Sequence, residues 1–315
     1  MKRIIYFFYP INYKNTIWLI GAGRSGTTWV SSLINYRNSY RELFEPFHTK
    51  IPEMYLMGFK KNLFLNEEGK RRWLRFLIKK VLQGKFYHPR VERSNKFINF
   101  YGNDFLLVKD IFVNLIAYEV CTNNSKVKPI LLIRNPFAVA LSVRERKNWS
   151  WMTDPKEFLL QKELFENYLK PFNEIILDIS ANGSYLDKQI LIWSIINYIP
   201  LLQFTEKKLL VTFYEDWLLN PEQELKKVQN YLNIPIVSSV DIKNSKKFKE
   251  SSRTSSKKEF EISSWNKKIS IDEIKSGMKI LKKFGLENLY DEFSRPNHDL
   301  IQQILLNKTK MNNAR

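Results

Sequence analysis

One run of eight residues constrains this chain more than any other: Gly21-Ala22-Gly23-Arg24-Ser25-Gly26-Thr27-Thr28. An apolar stretch from Asn15 to Ile20 leads into it. A segment from Thr27 to Asn35 follows, with Trp29, Val30, Leu33 and Ile34 at helical spacing. The glycines break the strand and let the backbone turn tightly, so that N–H groups face an anion. The new helix adds its partial positive N-terminus. Strand, tight loop and helix in this order point to an α/β architecture with an anion cradle at the carboxyl end of its first strand.

The rest of the chain repeats the alternation. Phe105 to Val108 is a second apolar strand, closed by Lys109 and Asp110, and Ile111 to Cys121 suits a helix. Pro129 to Ile133 is a third strand, followed by Arg134-Asn135-Pro136 and a helix through Val143. Helical patterns cover 157–179 and 188–204. A fourth strand runs from Leu209 to Phe213, and a helix from Pro221 to Leu232 has Asn220 as its N-cap. Lys60 to Gln83 reads as a mostly helical and very basic segment. Ser238 to Ser264 reads as a polar loop, and Ser270 to Phe284 as a helix with Ile271, Ile274, Met278 and Leu281 on one side, stopped at Gly285. Such alternation implies parallel βαβ units. The expected fold is a P-loop NTPase-like three-layer sandwich, a central parallel sheet flanked by helices. A single domain is expected over 1–315, with a core of 15–293 and a loosely held tail over 294–315.

The first loop departs from a nucleoside-triphosphate loop in one position. That motif reads G-x-x-x-x-G-K-[ST]. Here Thr27 stands where the lysine would be, Thr28 keeps the hydroxyl, and the nearby cation is Arg24. The lysine that reaches β- and γ-phosphates is missing. A phosphate-bearing nucleotide held without triphosphate–Mg²⁺ chemistry fits this better. Arg134 to Ser142 offers a second anchor. A strand ends on an arginine, a proline starts a helix, and Ser142 lies eight residues after Arg134. Arginine's planar fork suits a phosphate, and both anchors fall at carboxyl ends of strands.

These residues resemble the sulfotransferases. Gly21 to Thr28 looks like their 5′-phosphosulfate-binding loop, and Arg134 to Ser142 like their 3′-phosphate-binding motif. Phe213-Tyr214-Glu215-Asp216 with Asn220-Pro221-Glu222, and Leu232-Asn233-Ile234-Pro235, resemble later segments of that family. Ser252-Arg253-Thr254-Ser255, Trp265 and Phe284-Gly285-Leu286 resemble the C-terminal part of bacterial and carbohydrate-type members. The resemblance implies 3′-phosphoadenosine 5′-phosphosulfate (PAPS) as sulfonate donor. It implies that Gly23, Arg24, Ser25, Gly26, Thr27 and Thr28 hold the 5′-phosphosulfate, that Arg134 and Ser142 hold the 3′-phosphate, and that Arg253 contacts the nucleotide. No metal is needed if side-chain and backbone donors take over the role of Mg²⁺.

Sulfonate transfer needs a general base for the acceptor proton and cations for the charge growing on the leaving phosphate. Small-phenol and steroid sulfotransferases carry a histidine in a Lys-x-His pattern. Here Lys109 is followed by Asp110 and Ile111, so that histidine is absent. The carbohydrate and tyrosylprotein branches use a glutamate shortly after the first helix. Glu45, in Leu43-Phe44-Glu45-Pro46-Phe47-His48, stands at the matching place, 21 residues beyond Arg24. Glu42, Asp110 and His48 are the other bases to weigh. Lys109, at a strand's carboxyl end, is a further catalytic candidate beside Arg24. The glutamate favours a sugar hydroxyl as acceptor, in an oligosaccharide, glycolipid or surface polysaccharide, with Trp149 and Trp151 available to stack on a sugar face.

Composition narrows the partners. The chain has 315 residues and a net charge of +19, which favours a negative partner: nucleic acid, an anionic membrane or a polyanionic ligand. The single cysteine, Cys121, excludes a disulfide framework and multi-cysteine metal sites, and His48, His88 and His298 lie far apart. No zinc-finger spacing or RNP-like stretch speaks for nucleic acid. The Met1–Ile11 stretch lacks a cleavage site, and the apolar Ile190–Phe204 run is broken by Ser194, Asn197, Pro200 and Gln203. A soluble, cytoplasmic chain is expected, with attachment to the inner face of a membrane left open. The rival functions are another P-loop phosphotransferase and, behind it, a basic nucleic-acid binder.

Overall fold

The computed structural model describes residues 13–66, 71–93, 95, 105–146, 152–234, 242, 245–250 and 262–313. At its centre is a five-stranded sheet: β1 (Asn15–Gly21), β2 (Tyr40–Phe44), β3 (Phe105–Asp110), β4 (Val127–Ile133) and β5 (Leu210–Phe213). The strand order is β2-β3-β1-β4-β5, and every pairing is parallel. The expected three-layer α/β architecture is therefore present. Successive side chains of β1 show why. Ile17 and Leu19 enter one core with Trp29, Val30 and Leu33 of α1 (Thr27–Ile34). Trp18 and Ile20 enter the other. A strand whose alternate residues are all apolar must be covered on both faces. The α1 side also holds α8 (Tyr214–Leu219) and α9 (Pro221–Leu232).

The opposite side holds α2 (Pro52–Leu56), α3 (Arg72–Leu82), α4 (Ala117–Thr122), α5 (Pro136–Arg144), α6 (Asn173–Asn182) and α7 (Tyr185–Gln203). It also holds α11 (Ile271–Lys283) and α12 (His298–Asn313), whereas α10 (Lys246–Glu250) packs Phe248 against Trp29 on the α1 side. The Ile190–Phe204 run forms most of α7, which is buried around nearly its whole circumference within the protein. No helix among the described residues is long and apolar enough to cross a membrane.

One strand, Tyr40–Phe44, is unexpected, and other expectations change. Among the described residues of the basic segment 60–83, helix covers only Arg72–Leu82. Lys61 and Asn62 lie in a turn, where Asn62 N donates to the Phe112 carbonyl at 3.1 Å. The expected loose tail contains α12, which buries Ile301 and Leu305, while His298 Nε2 stands 3.0 Å from Asp216 Oδ2. Of the α11 stripe, Leu281 is buried but Ile271 is 71% exposed.

Because all strands are parallel, their carboxyl ends share one rim. Read across the sheet, that rim presents Glu45 after β2, Lys109 and Asp110 closing β3, the Gly21 loop after β1, Arg134 after β4 and Tyr214 after β5. The chain winds from β1 out to β2, returns to β3, then crosses β1 to reach β4 and β5. Ligands of such sheets sit outside the carboxyl ends where the winding reverses.

Candidate functional site

The loop after β1 is shaped from within. Gly21 pairs with Leu132 of β4, and a side chain there would drive a Cβ to 2.7 Å from the Leu132 carbonyl. Gly26 has φ 91°, and a Cβ on it would lie 2.4 Å from the Tyr214 ring. Only glycine fits that left-handed, crowded position. Ser25 spends both donors locally: its N–H and its hydroxyl reach the Ala22 carbonyl at 3.1 and 2.6 Å. Gly26 begins α1 without a side-chain cap, an arrangement that can take an anion at the first N–H groups of the helix. Thr27 is buried and Thr28 exposed at that end. Arg24 also has positive φ, 72°, a conformation a non-glycine residue adopts at a cost.

The second anchor closes onto the first. Arg24 Nε donates to Ser142 Oγ at 3.0 Å across 118 residues of sequence. Arg134 Nη1 donates to the Arg24 carbonyl, also at 3.0 Å. That contact uses one of the five N–H donors of a guanidinium. Arg134 lies over the Tyr214 ring, 4.4 Å from its centroid, and its own carbonyl accepts from Trp193 Nε1 at 3.1 Å. Asn135 caps α5 through its side chain, accepting from Phe137 N and Ala138 N. Its backbone N–H donates to Glu215 Oε1 at 3.0 Å, and Tyr290 Oη donates to Glu215 Oε2 at 3.1 Å. Burial pushes the Glu215 carboxyl up to about 7 against the pull of these donors and of Arg134.

On the other side of β1, Glu45 stands between two cations. Lys109 Nζ donates to its Oε1 at 2.7 Å and Arg90 Nη2 to its Oε2 at 2.8 Å. Glu45 N also donates to the Lys109 carbonyl at 2.7 Å, and its φ of 44° lies in the left-handed region. Lys109 is fully buried, which pushes its ammonium below the ordinary lysine value while Glu45 opposes the shift. Phe44 is flanked by cations, with the Arg93 guanidinium 3.4 Å and Lys109 Nζ 4.4 Å from its ring centroid.

The other carboxylates and the histidine have structural partners. Asp110 accepts Phe47 N at Oδ2 and the N–H groups of Ile111 and Phe112 at Oδ1, pinning both loops. Burial, and next Glu45, push it up to about 7. Glu42 accepts the Ser31 hydroxyl of α1 at 3.0 Å, on the helix-covered side of β2. His48 is pushed down to about 4, by burial first and by Arg90 next, and its Nδ1 accepts from Lys50 N.

A pocket opens beside the loop, lined by Ala22 and Gly23 and by apolar Ile111, Phe112, Val139, Val143 and Trp193. Lys61, Asn62 and Gln189 are its polar members. The structure thus brings together Arg24, Ser142 and Arg134 by direct contact, and Lys109 with Glu45 by another. Arg253, Trp149 and Trp151 lie outside the described residues. Arg90 and Trp193 join the site without any sequence signal, because each is a common residue in a loop or a buried helix. Tyr214 and Glu215 were visible only within the Phe213-Tyr214-Glu215-Asp216 run.

Comparison with known proteins gives one family. Residues 14–292 match the model of the sulfotransferase domain. No curated protein sequence matches the chain. Among solved structures, the chain is similar to a sulfotransferase from Alicyclobacillus acidocaldarius, at 14% identity and a TM-score of 0.40, over 85% of this chain and 96% of that one. It is also similar to a mouse sulfotransferase solved with PAP, at 13% identity and a TM-score of 0.43, over 95% of this chain and 90% of that one.

Proposed function

The chain belongs to the sulfotransferase domain family, and from that premise we propose that it transfers a sulfonate group from PAPS to the hydroxyl of a carbohydrate, free or lipid-linked. The carrying observation is the convergence of the two anchors: Arg24 on Ser142, and Arg134 on the Arg24 carbonyl. A donor with phosphates at two ends of one ribose needs two such anchors side by side.

The first turn of α1, with Gly23 to Thr28, takes the 5′-phosphosulfate, and Arg134 with Ser142 takes the 3′-phosphate. Glu45 accepts the proton of the acceptor hydroxyl as its oxygen bonds to sulfur. The bond between sulfur and the bridging phosphate oxygen breaks, and 3′-phosphoadenosine 5′-phosphate (PAP) leaves with the electron pair. Lys109 and Arg90 hold the Glu45 carboxylate in place, and Arg24 opposes the charge growing on the leaving phosphate.

One observation favours a second acceptor class. The pocket beside the loop is mostly apolar, which suits a hydroxyl carried on an apolar body, such as a lipid alcohol or a phenol. A radiolabelled-PAPS transfer assay across sugar, glycolipid, lipid-alcohol, phenol and peptide acceptors separates these classes. Thermal stabilisation by PAP, and not by ATP–Mg²⁺ or DNA, is expected. Stabilisation by ATP–Mg²⁺ alone would overturn the reading.

A further inference from the structure

A second surface of this protein carries an arrangement that sulfonate transfer does not use. At the end of α2, Tyr55, Leu56 and Met57 are 68%, 74% and 40% exposed. On α3, Trp73 and Phe76 are 71% and 52% exposed, their rings 6.4 Å apart. The two sets are joined: Arg71, just before α3, donates from Nη1 to the Gly58 carbonyl at 2.7 Å. The inner face of α3 is already satisfied, with Leu74, Ile78, Val81 and Leu82 buried in the core. The exposed aromatics are therefore extra to folding.

The charge on this surface is mostly positive. Residues 52–82 carry eight lysines and arginines against three glutamates, Glu53, Glu67 and Glu68. Arg75 is turned inward to Glu119 and the Asn66 carbonyl. Arg72 and Lys79 are exposed, and Lys80 Nζ lies 5.1 Å from the centroid of the Phe76 ring. We propose that this α2–α3 face docks on an anionic lipid bilayer. Tryptophan and phenylalanine settle at the level of lipid headgroups, and interleaved cations pair with anionic lipid. Lys61, four residues beyond Met57, also lines the pocket beside the phosphate loop, so the chain runs directly from this face to the pocket. The proposal is independent of which acceptor the enzyme uses.

The test is cosedimentation of the full chain with vesicles of phosphatidylcholine alone, or of phosphatidylcholine with phosphatidylglycerol. Binding is expected only to the anionic vesicles, and salt is expected to weaken it. W73A/F76A and R72E/K79E should each weaken binding by at least about tenfold. K279E/K282E, which reverses two exposed charges on a different helix, α11, should leave it within about twofold, since neither residue belongs to the docking face. Stabilisation of every variant by PAP reports that its fold and nucleotide site are intact. Absence of binding to anionic vesicles would overturn the proposal. So would an equal loss in K279E/K282E, which would reduce binding to overall charge. A wild-type dimer in light scattering that W73A/F76A makes monomeric would instead assign the face to self-association.

Discussion

Arg24 reaches Ser142 at 3.0 Å, joining the loop after β1 to the helix after β4. In the proposed function the Ser142 hydroxyl also meets the 3′-phosphate of the nucleotide. Removing it in Ser142→Ala takes away a hydrogen bond to a charged group, worth about 1.5–3 kcal/mol. PAP affinity by calorimetry should fall by roughly ten- to a hundredfold, and the free protein, which loses the Arg24–Ser142 hydrogen bond, should melt somewhat lower. An unchanged affinity would remove Ser142 from the nucleotide site.

Glu45→Gln should lower turnover by about 10²–10⁴-fold and leave PAP affinity within about twofold. The substitution also strands Lys109, whose side chain is 2% exposed. Breaking a buried pair by removing one partner costs about 3–5 kcal/mol, so the single variant is expected to melt early. The double variant Glu45→Gln/Lys109→Met removes the stranded charge and should recover much of that stability while staying inactive. Turnover near wild type in a folded double variant would exclude Glu45 as the base.

Gly26→Ala tests the contact between the loop and Tyr214. With φ at 91° and a Cβ 2.4 Å from the ring, the alanine must shift the loop or the tyrosine. Either movement disturbs the ring beneath Arg134. A stability loss of about 1–3 kcal/mol is expected, together with weakened PAP binding. A variant with wild-type PAP affinity would show that the tyrosine platform does not matter to the nucleotide.

The α/β class and the two strand–turn–helix units at Gly21–Thr28 and Arg134–Ser142 were legible because each rests on local rules: an apolar strand, a turn that needs glycine or proline, and a helix of period 3.6. β2 was not legible. Its sequence, Tyr-Arg-Glu-Leu-Phe, puts Arg41 and Glu42 in buried positions. Arg41 is satisfied at long range by Glu92, by the carbonyls of Gly84 and Phe86 and by Tyr13. Such a strand shows no apolar pattern, since the partners that permit burial are up to 51 residues away. The ion pairs of Glu45 were hidden for the same reason. Its apolar sequence neighbours Phe44, Pro46 and Phe47 give no hint of Lys109 and Arg90, which the sheet and a distant turn deliver. The basic segment 60–83 misled differently: its charge is a surface property, and among its described residues only the part with a continuous apolar stripe is helix.

Glu215 gives the fold a pH dependence that can be isolated. Its carboxyl is pushed from the ordinary 4.5 up to about 7 by burial, in a place where it also receives Asn135 N–H and Tyr290 Oη. A buried acid raised in this way holds its proton more tightly in the native than in the unfolded chain. Its contribution to stability is complete below pH 4.5 and is lost as pH climbs through about 7. Asp110, also raised to about 7, adds a loss over the same window, so the wild type alone cannot separate the two. Comparison with Glu215→Gln does. The variant keeps a carbonyl oxygen for the Asn135 N–H and has no charge to bury. Its melting temperature relative to wild type should therefore rise between about pH 5 and pH 8, the interval that spans the Glu215 titration. Parallel curves across that interval would mean that Glu215 is already ionised at pH 5, held so by Arg134 and its two donors.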